Sequence, residues 1–243
     1  MQEQFARTQL LLGSEAMERL AHSSVAVFGI GGVGGHAVEV LARSGVGAIT
    51  LIDSDRVSLT NVNRQIIALL STVGEYKVDV AERRIHDINP DCRVTVCRQF
   101  YLPENADTID LAAFDYVLDC VDTVKAKLEL IRRCHALAVP IISSMGAANK
   151  LDPTAFRVAD LEDTTVDPLA RIIRKKLRKE GICHLKVVYS EEMPMEPAEL
   201  STEDLPEGRH TIPASNAFVP ATAGLIMGGE VVKALAFSKG SNG

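Results

Sequence analysis

Residues 23–34 read SSVAVFGIGGVG, an apolar run that passes directly into a glycine-rich loop. The run is typical of a strand buried on both faces. Gly29, Gly31 and Gly34 give the GxGxxG spacing, in which glycines permit a tight turn and let backbone N–H groups approach a phosphate. Asp53 closes the next apolar run about 20 residues further on, where an acid can bind a ribose hydroxyl. This stretch predicts a nucleotide site, with NAD as the default ligand and a turn without a ligand as the plain alternative.

Strands and helices alternate on both sides of that loop. The patterns predict helices at 14–22, 34–44, 77–88 and 123–137, and strands at 48–53, 93–97, 115–120 and 140–144. Strands that alternate with helices pair in parallel through right-handed crossovers. Residues 1–150 are therefore predicted to form a Rossmann-like, doubly wound α/β unit with a mostly parallel sheet.

Residues 151–243 differ in character and are predicted to form a carboxyl-terminal extension. The patterns there predict strands at 155–161 and 185–190, a basic helix at 167–180, an acidic mobile loop at 191–212 and an apolar helix at 217–237. Because no long linker separates the two parts, we expect a single domain over residues 1–243.

The composition narrows the class of protein. Five cysteines at irregular spacing exclude a disulfide framework and indicate a reducing compartment. A net charge of −6 argues against a protein that is basic all over, although a local basic face is still open. The N-terminal residues lack the apolar segment of a signal peptide, and residues 218–237 contain Pro220, Glu230 and Lys233, which make a poor membrane span. We therefore expect a cytoplasmic protein with no membrane partner.

The segment after the second strand argues against NAD. Hydride transfer needs a snug nicotinamide pocket, whereas carboxylate, amide and guanidinium groups follow Asp53 here. Arg64 can clamp a phosphate with two hydrogen bonds, and Lys77 can add a charge to the same anion. Asp122 follows the strand at 115–120, at the edge where open α/β sheets bind ligands, and its carboxylate can hold Mg²⁺ against phosphate. Taken singly, Arg64 could be a surface residue, Lys77 an exposed helix charge and Asp122 a helix N-cap. Together with the glycine loop they favour a phosphate-rich ligand.

Four segments in this order resemble the ubiquitin-activating-like, ATP-dependent adenylating enzymes: GIGGVG, DSDRVSLTNVNRQ, GEYKV and DCVDT. The resemblance covers residues 1–150 almost continuously and implies that ATP and Mg²⁺ are bound. It implies ATP-binding roles for Gly29, Gly31, Gly32, Gly34, Asp53, Asp55, Asn61, Arg64, Gln65 and Lys77, with Asp53 on the ribose. It also implies catalytic roles for Arg64, Lys77 and Asp122, the last as the Mg²⁺ carboxylate. Arg7 matches an arginine that the family sends across a homodimer interface to the ATP phosphates.

Two later segments narrow the resemblance to one branch of that family. Residues 152–190 and 213–235 look like the branch that uses ATP to dehydrate threonylcarbamoyladenosine next to the tRNA anticodon. The resemblance implies a tRNA substrate and an acyl-adenylate formed on its threonyl carboxylate. It leaves open a bound monovalent cation and a cysteine desulfurase or sulfur-acceptor partner.

The cysteines agree with this branch. Sulfur-carrier activators commonly hold zinc on two CxxC pairs, whereas this chain has no CxxC, so no structural zinc is expected. Cys183 is the one thiol in the region that faces the adenylate in enzymes with a thiol step. Since nothing except His184 adjoins it to lower its pKa, Cys183 is interpreted as a partly buried structural residue. We expect no thiol intermediate.

The predicted basic helix is the candidate tRNA-binding surface. It carries six cations within nine residues: Arg171, Arg174, Lys175, Lys176, Arg178 and Lys179. Helical periodicity places Ala170, Ile173 and Leu177 inward and spreads the cations over the outer face. A solvated helix face is the plain interpretation. With a tRNA substrate, the same face would bind backbone phosphates in a salt-dependent way.

Three other functions remain open at this point. One is an adenylyltransferase that activates the C-terminal glycine of a ubiquitin-like sulfur-carrier protein. Another is a non-catalytic ATP-binding scaffold in a tRNA-modification or sulfur-transfer complex, which would have no need of Arg64, Lys77 and Asp122. The third is an NAD oxidoreductase, which would bind a dinucleotide without turning over ATP.

Overall fold

Within the residues that the structure describes, seven short strands build one sheet. The computed structural model describes residues 3–198 and 213–237. The strands are β1 (Ser24–Phe28), β2 (Ala48–Ile52), β3 (Arg93–Cys97), β4 (Tyr116–Asp119), β5 (Ile141–Ser144), β6 (Phe156–Asp160) and β7 (Lys186–Ser190). Their order in the sheet is β3–β2–β1–β4–β5–β7–β6, and every neighbouring pair is parallel except β6–β7. The predicted α/β class with a mostly parallel sheet is confirmed.

Helices cover both faces of the sheet. They are α1 (Ala6–Leu12), α2 (Ser14–His22), α3 (Gly34–Arg43), α4 (Lys77–Ile88), α5 (Val124–Ala136), α6 (Pro168–Arg178) and α7 (Val219–Ala236). Val25 and Val27 of β1 pack in the cluster that contains residues of α2, α3, α4 and α7, whereas Ala26 and Phe28 pack with α5. Successive side chains of a strand point to opposite faces, so this split defines a doubly wound arrangement.

The carboxyl-terminal extension continues the same sheet. β7 pairs with β5, and β6 forms the antiparallel edge beyond it. On the opposite face from α5, α7 packs tightly across α3, because a Cβ at Gly224 would lie 2.2 Å from the carbonyl oxygen of Val33. Strands from both sides of residue 150 therefore share one sheet, while the single-domain prediction stays a prediction.

Helix α7 is long and apolar enough to cross a membrane by length and composition, but 56% of it is buried inside the protein. Glu230 on this helix forms ion pairs with Lys186 and Lys233. The apolar residues of α7 form part of the core beside α3.

The first part of the predicted mobile loop, residues 191–198, is held by hydrogen bonds in the structure. The Glu192 carboxylate accepts hydrogen bonds from the backbone N–H groups of Leu151 (2.8 Å) and Asp152 (2.9 Å). The N–H of Met195 donates to the carbonyl of Asn149 at 2.8 Å. An acidic residue can therefore anchor this segment by accepting backbone hydrogen bonds. Residues 199–212 of the predicted loop lie outside the described residues.

Candidate active site

The glycine loop between β1 and α3 lies directly against the end of β4. Gly29 has a φ of +85°, and a Cβ there would lie 2.8 Å from the carbonyl oxygen of Cys120. A Cβ at Gly34 would lie 1.8 Å from the carbonyl oxygen of Gly29. Only glycine fits both positions, because any side chain would push the loop away from the sheet. The turn therefore brings the N-terminus of α3 to the carboxyl edge of the sheet, where backbone N–H groups favour a phosphate.

Asp53 ties this loop to the end of β2. One carboxylate oxygen accepts a hydrogen bond from the N–H of Ile30 at 2.7 Å, and the other accepts from the N–H of Asp55 at 2.8 Å. Burial raises the pKa of Asp53, and the charge of Lys77 and these two N–H groups oppose that rise. Each oxygen can accept a further hydrogen bond, which is the chemistry that a ribose hydroxyl needs.

Two cations lie beside the loop. Lys77 begins α4 and is buried, with its ammonium 2.8 Å from the Asp55 carboxylate. The Arg64 guanidinium donates from Nη1 to the carbonyl of Thr60 (3.0 Å) and to Oδ1 of Asn63 (2.9 Å). Both of these bonds use one nitrogen, so the geometry leaves the other guanidinium donors for an anion.

Asn61 and Gln65 have different surroundings. The Asn61 side-chain oxygen accepts a hydrogen bond from the N–H of Ser58 at 3.1 Å, which fixes the short turn at Leu59–Asn61. Gln65 is 6% exposed, and its side-chain oxygen has no hydrogen-bond partner among the described residues. Buried polar atoms are nearly always paired in folded proteins. An orphaned oxygen in the wall of this cleft therefore fits a site that a ligand completes.

Asp122 lies just beyond β4 and is exposed. Its carboxylate accepts a hydrogen bond from the Thr123 hydroxyl at 3.3 Å, and α5 begins two residues later at Val124. Within residues 3–198 and 213–237, no group of three histidine, cysteine or acidic side chains could hold a metal by itself. Mg²⁺ at nucleotide sites usually takes one or two carboxylates together with phosphate oxygens. A single carboxylate beside a phosphate cradle fits that donor set.

One cleft of about 490 Å³ collects nearly all of the predicted site residues. Its lining includes Gly29, Gly31, Gly32, Asp53, Asp55, Asn61, Arg64, Gln65, Lys77 and Asp122. Gly34 lies behind the loop in α3, where it permits the close packing described above. Arg7 is exposed on α1 and does not line the cleft of its own chain. The volume lies in the range of small-molecule sites.

A buried ion pair under the cleft escaped the sequence analysis. The side chains of Asp119 at the end of β4 and Lys127 on α5 are both 0% exposed, and their charged atoms lie 2.7 Å apart. The Lys127 ammonium also donates to the Ser143 hydroxyl (3.1 Å) and the Ser144 carbonyl (2.9 Å). The pair braces the ends of β4 and β5, which border the cleft. The only signal in the sequence was an acid at a strand end followed eight residues later by a lysine.

Of the six cations predicted to face outward on the basic helix, five are exposed and Arg174 is half-buried. The Arg174 guanidinium donates to the carbonyls of Leu161 (3.1 Å) and Thr164 (2.8 Å), and Arg178 pairs with Glu162. Arg174 and Arg178 bind the segment before the helix, because its carbonyl oxygens and the Glu162 carboxylate lie within hydrogen-bond distance. The other four are exposed and form no ion pair with a described residue: Arg171, Lys175, Lys176 and Lys179.

The prediction for Cys183 was wrong. The thiol is exposed rather than partly buried. It lies in the turn after α6, where Leu185 and Ile182 take the buried positions on either side. Cys183 does not line the cleft.

Comparison with known proteins agrees with this geometry. The family model described as "ThiF family" matches residues 3–241. The chain is 49% identical over 239 residues to the tRNA threonylcarbamoyladenosine dehydratase of Bacillus subtilis (strain 168), and the match covers 96% of this chain and 94% of that protein.

Two solved structures of the Escherichia coli tRNA N6-threonylcarbamoyladenosine dehydratase are also similar. The complex with AMP gives a TM-score of 0.86 at 37% identity, covering 96% of this chain and 94% of that one. The complex with ATP gives a TM-score of 0.84 at 36% identity, covering 96% and 93%. Together with the glycine loop and the cleft, these matches mean that the chain belongs to the ThiF family.

Proposed function

We propose that this protein uses ATP to dehydrate threonylcarbamoyladenosine, next to the anticodon of tRNA, to its cyclic form. The observation that carries the proposal is that similarity to proteins named tRNA threonylcarbamoyladenosine dehydratase runs along 96% of the chain. It therefore includes the carboxyl-terminal extension as well as the nucleotide cleft. The E. coli relatives hold AMP or ATP, which supports an adenylating reaction.

The cleft supplies binding groups for the ribose and the phosphates of ATP. The Asp53 carboxylate accepts from the ribose hydroxyls, and the glycine loop presents backbone N–H groups to the phosphates. Arg64 and Lys77 add positive charge, and Lys77 is already oriented by its 2.8 Å contact with Asp55. The unpaired oxygen of Gln65 accepts a hydrogen bond from the bound substrate.

The reaction that this cleft supports has two displacements. The threonyl carboxylate of the substrate attacks the α-phosphorus of ATP, and the bond to pyrophosphate breaks. An oxygen or a nitrogen of the same threonylcarbamoyl group then attacks the acyl carbon. AMP leaves with one former carboxylate oxygen, and the attacking group loses its proton. The net change in the nucleoside is the loss of one water.

The protein contributes position and charge rather than a nucleophile. Bound reactants held in line gain most of their rate from orientation and from fixed positive charge near the phosphates. Mg²⁺, when bound with ATP, supplies further neutralisation of the phosphate charge, and Asp122 is the residue that would hold it. Since the adenylate makes the carboxylate oxygen a good leaving group, Cys183 has no role in this chemistry.

A homodimer completes the proposed site. Arg7 lies outside the cleft of its own chain, and the same helix exposes Leu10 (88%) and Leu11 (83%). Apolar residues exposed to this degree on one helix favour an interface. A second copy that covers this helix would bring its Arg7 toward the phosphates.

The four exposed cations of α6 form the proposed tRNA surface. The chain has no Trp and only 5% aromatic residues, so phosphate contacts rather than base stacking carry the binding. A tRNA substrate agrees with the cytoplasmic location expected from the cysteines.

Release of AMP and pyrophosphate from ATP tests the proposal against its alternatives. Three substrates are compared: tRNA that carries threonylcarbamoyladenosine, the same tRNA transcribed without modification, and a small ubiquitin-like protein that ends in glycine. We expect release with the modified tRNA alone. Release that depends on the ubiquitin-like protein would instead identify a sulfur-carrier activator, and no release with any of the three would favour the scaffold.

A further inference from the structure

A second buried ion pair joins α6 to the wall of the cleft. The side chains of Lys150 and Asp167 are 1% and 0% exposed, and their charged atoms lie 3.3 Å apart. Neither residue lines the cleft. Burying two charges is costly, and such a pair is weak support for stability by itself. Its position suggests a different use.

The two oxygens of Asp167 serve two different elements. One accepts a hydrogen bond from the N–H of Ala170 at 2.8 Å and so caps the N-terminus of α6. The other accepts from the N–H of Gly146 at 3.2 Å and from the Lys150 ammonium. One carboxylate therefore fixes the start of the basic helix to the loop after β5.

That loop is part of the cleft. Gly146 lines it, and so does Leu169 in the first turn of α6. The Lys150 ammonium also donates to the carbonyl of Gly146 at 2.9 Å, so the pair holds both backbone polar groups of this residue. A Cβ at Gly146 would lie 3.1 Å from the Asp167 carboxylate, which leaves almost no slack in the contact. A shift of α6 must therefore move the cleft wall.

The backbone just before Asp167 is strained. Val166 has a φ of +46°, which is rare for a β-branched residue. Its side chain is 44% exposed, so core packing does not impose this conformation. Strain of this kind costs on the order of 1–3 kcal/mol and persists only where surrounding contacts hold it. The contacts of Asp167 are adjacent and supply that restraint.

We propose that Lys150 and Asp167 are positioning residues that couple the outer face of α6 to the nucleotide cleft. The coupling rests on the proposed function, in which tRNA binds Arg171, Lys175, Lys176 and Lys179. RNA phosphates bound to these cations hold α6 in the position in which the Asp167 carboxylate is hydrogen-bonded to Gly146. The loop after β5 is then already ordered when the nucleotide binds, and nucleotide binding does not have to supply the free energy of ordering it. Bound tRNA therefore tightens nucleotide binding. By linkage, bound nucleotide tightens tRNA binding by the same factor.

The test is the dissociation constant of a non-cleavable ATP analogue with Mg²⁺, measured with and without saturating modified tRNA. The ratio of the two constants is the coupling factor. Wild type is expected to give a factor of about 5 or more, the low end of measured couplings. Lys150→Met and Asp167→Asn are expected to bring the factor close to one. Asn still offers an oxygen that can cap α6, so the second variant removes the charge with the least change to the helix start.

Arg132→Gln is the matched control. It breaks the Arg132–Glu180 contact of 2.6 Å, which joins α5 to the turn after α6 and does not reach the cleft. This variant is expected to keep the wild-type factor. A merely structural role for Lys150 would change each affinity without changing their ratio.

The outcomes separate this inference from the proposed function. Variants that bind tRNA and keep the wild-type factor overturn the coupling, as does a factor of one in a wild type that binds and dehydrates its tRNA. Failure of wild type to dehydrate the tRNA at all overturns the proposed function, and if tRNA binding is absent too, the coupling falls with it.

Discussion

The two buried lysine–aspartate pairs border the same cleft but are built differently. Lys127 and Asp119 lie 2.7 Å apart, and the ammonium makes three hydrogen bonds within the β4, α5 and β5 unit. Lys150 and Asp167 lie 3.3 Å apart, and the ammonium makes two. The first pair holds β4, α5 and β5 together, whereas the second joins the loop after β5 to the N-terminus of α6. The comparison shows that Lys127 and Asp119 hold the nucleotide half together from within, whereas α6 is joined to it through a longer ion pair next to a strained backbone.

Breaking the first pair should give the largest loss of stability. Lys127→Met leaves the Asp119 carboxylate buried without a counter-charge, and we expect the free energy of unfolding to fall by about 3–5 kcal/mol. Urea denaturation measures it. Lys125→Met is the control, because this exposed lysine forms only a surface pair with Glu104 and should cost less than about 1 kcal/mol. Equal costs for the two variants would contradict the bracing role.

Breaking the second pair should cost less. Each variant leaves two donors on the buried carboxylate, but Lys150→Met removes two ammonium hydrogen bonds rather than three and breaks an ion pair of 3.3 Å rather than 2.7 Å. We expect the free energy of unfolding to fall by about 1.5–3 kcal/mol, the range for a lost hydrogen bond to a charged group. A loss as large as that of Lys127→Met in the same urea experiment would show that the two junctions are equally tight.

Two neighbouring cations of α6 should separate folding from RNA binding. Arg174→Gln removes donors to two backbone carbonyls, so it should lower the free energy of unfolding by about 1–2 kcal/mol. Lys175→Gln should change it by less than about 0.5 kcal/mol. The same change at Lys175 should weaken tRNA binding and reduce the slope of log K against log salt by about one. Fluorescence anisotropy at several KCl concentrations measures the slope, and an unchanged slope would remove Lys175 from the tRNA surface.

Asp53 offers a contrast inside the cleft, because its oxygens bond to backbone N–H groups rather than to a lysine. Burial raises its pKa in the folded protein, so the folded state binds this proton more tightly than the unfolded state. Its contribution to stability is therefore present at acidic pH and is lost as the pH rises through the folded pKa. The stability of Asp53→Asn relative to wild type should rise over the same interval. A relative stability that falls with pH would contradict the shift.

Much of the cleft could be predicted from short-range signals. The glycine loop, Asp53 and Asp122 follow strand ends and Lys77 begins a helix, whereas Arg64 lies in a turn between β2 and α4. The carboxyl ends of parallel strands meet at one edge, so the chain order already brings these residues together. The α/β class followed from the same alternation.

The rest depended on contacts that sequence distance hides. Lys127 was not predicted as a partner of Asp119, because Asp119 becomes buried only when β4 and β5 pair. Arg174 and Arg178 counted as free charges because their acceptors lie in the segment before the helix. Glu192 appeared in an acidic run, yet it accepts two backbone hydrogen bonds across the sheet edge. In each case a charged residue found a partner that composition cannot locate.

The mass of one nucleoside decides whether this protein dehydrates threonylcarbamoyladenosine. The protein is incubated with ATP, Mg²⁺ and tRNA that carries threonylcarbamoyladenosine, and the digested nucleosides are weighed by liquid chromatography and mass spectrometry under mild conditions. The account predicts that the modified nucleoside loses one water, that omission of ATP prevents the loss, and that Asp122→Ala abolishes it. An unchanged mass with a folded, ATP-binding wild-type protein would contradict the account.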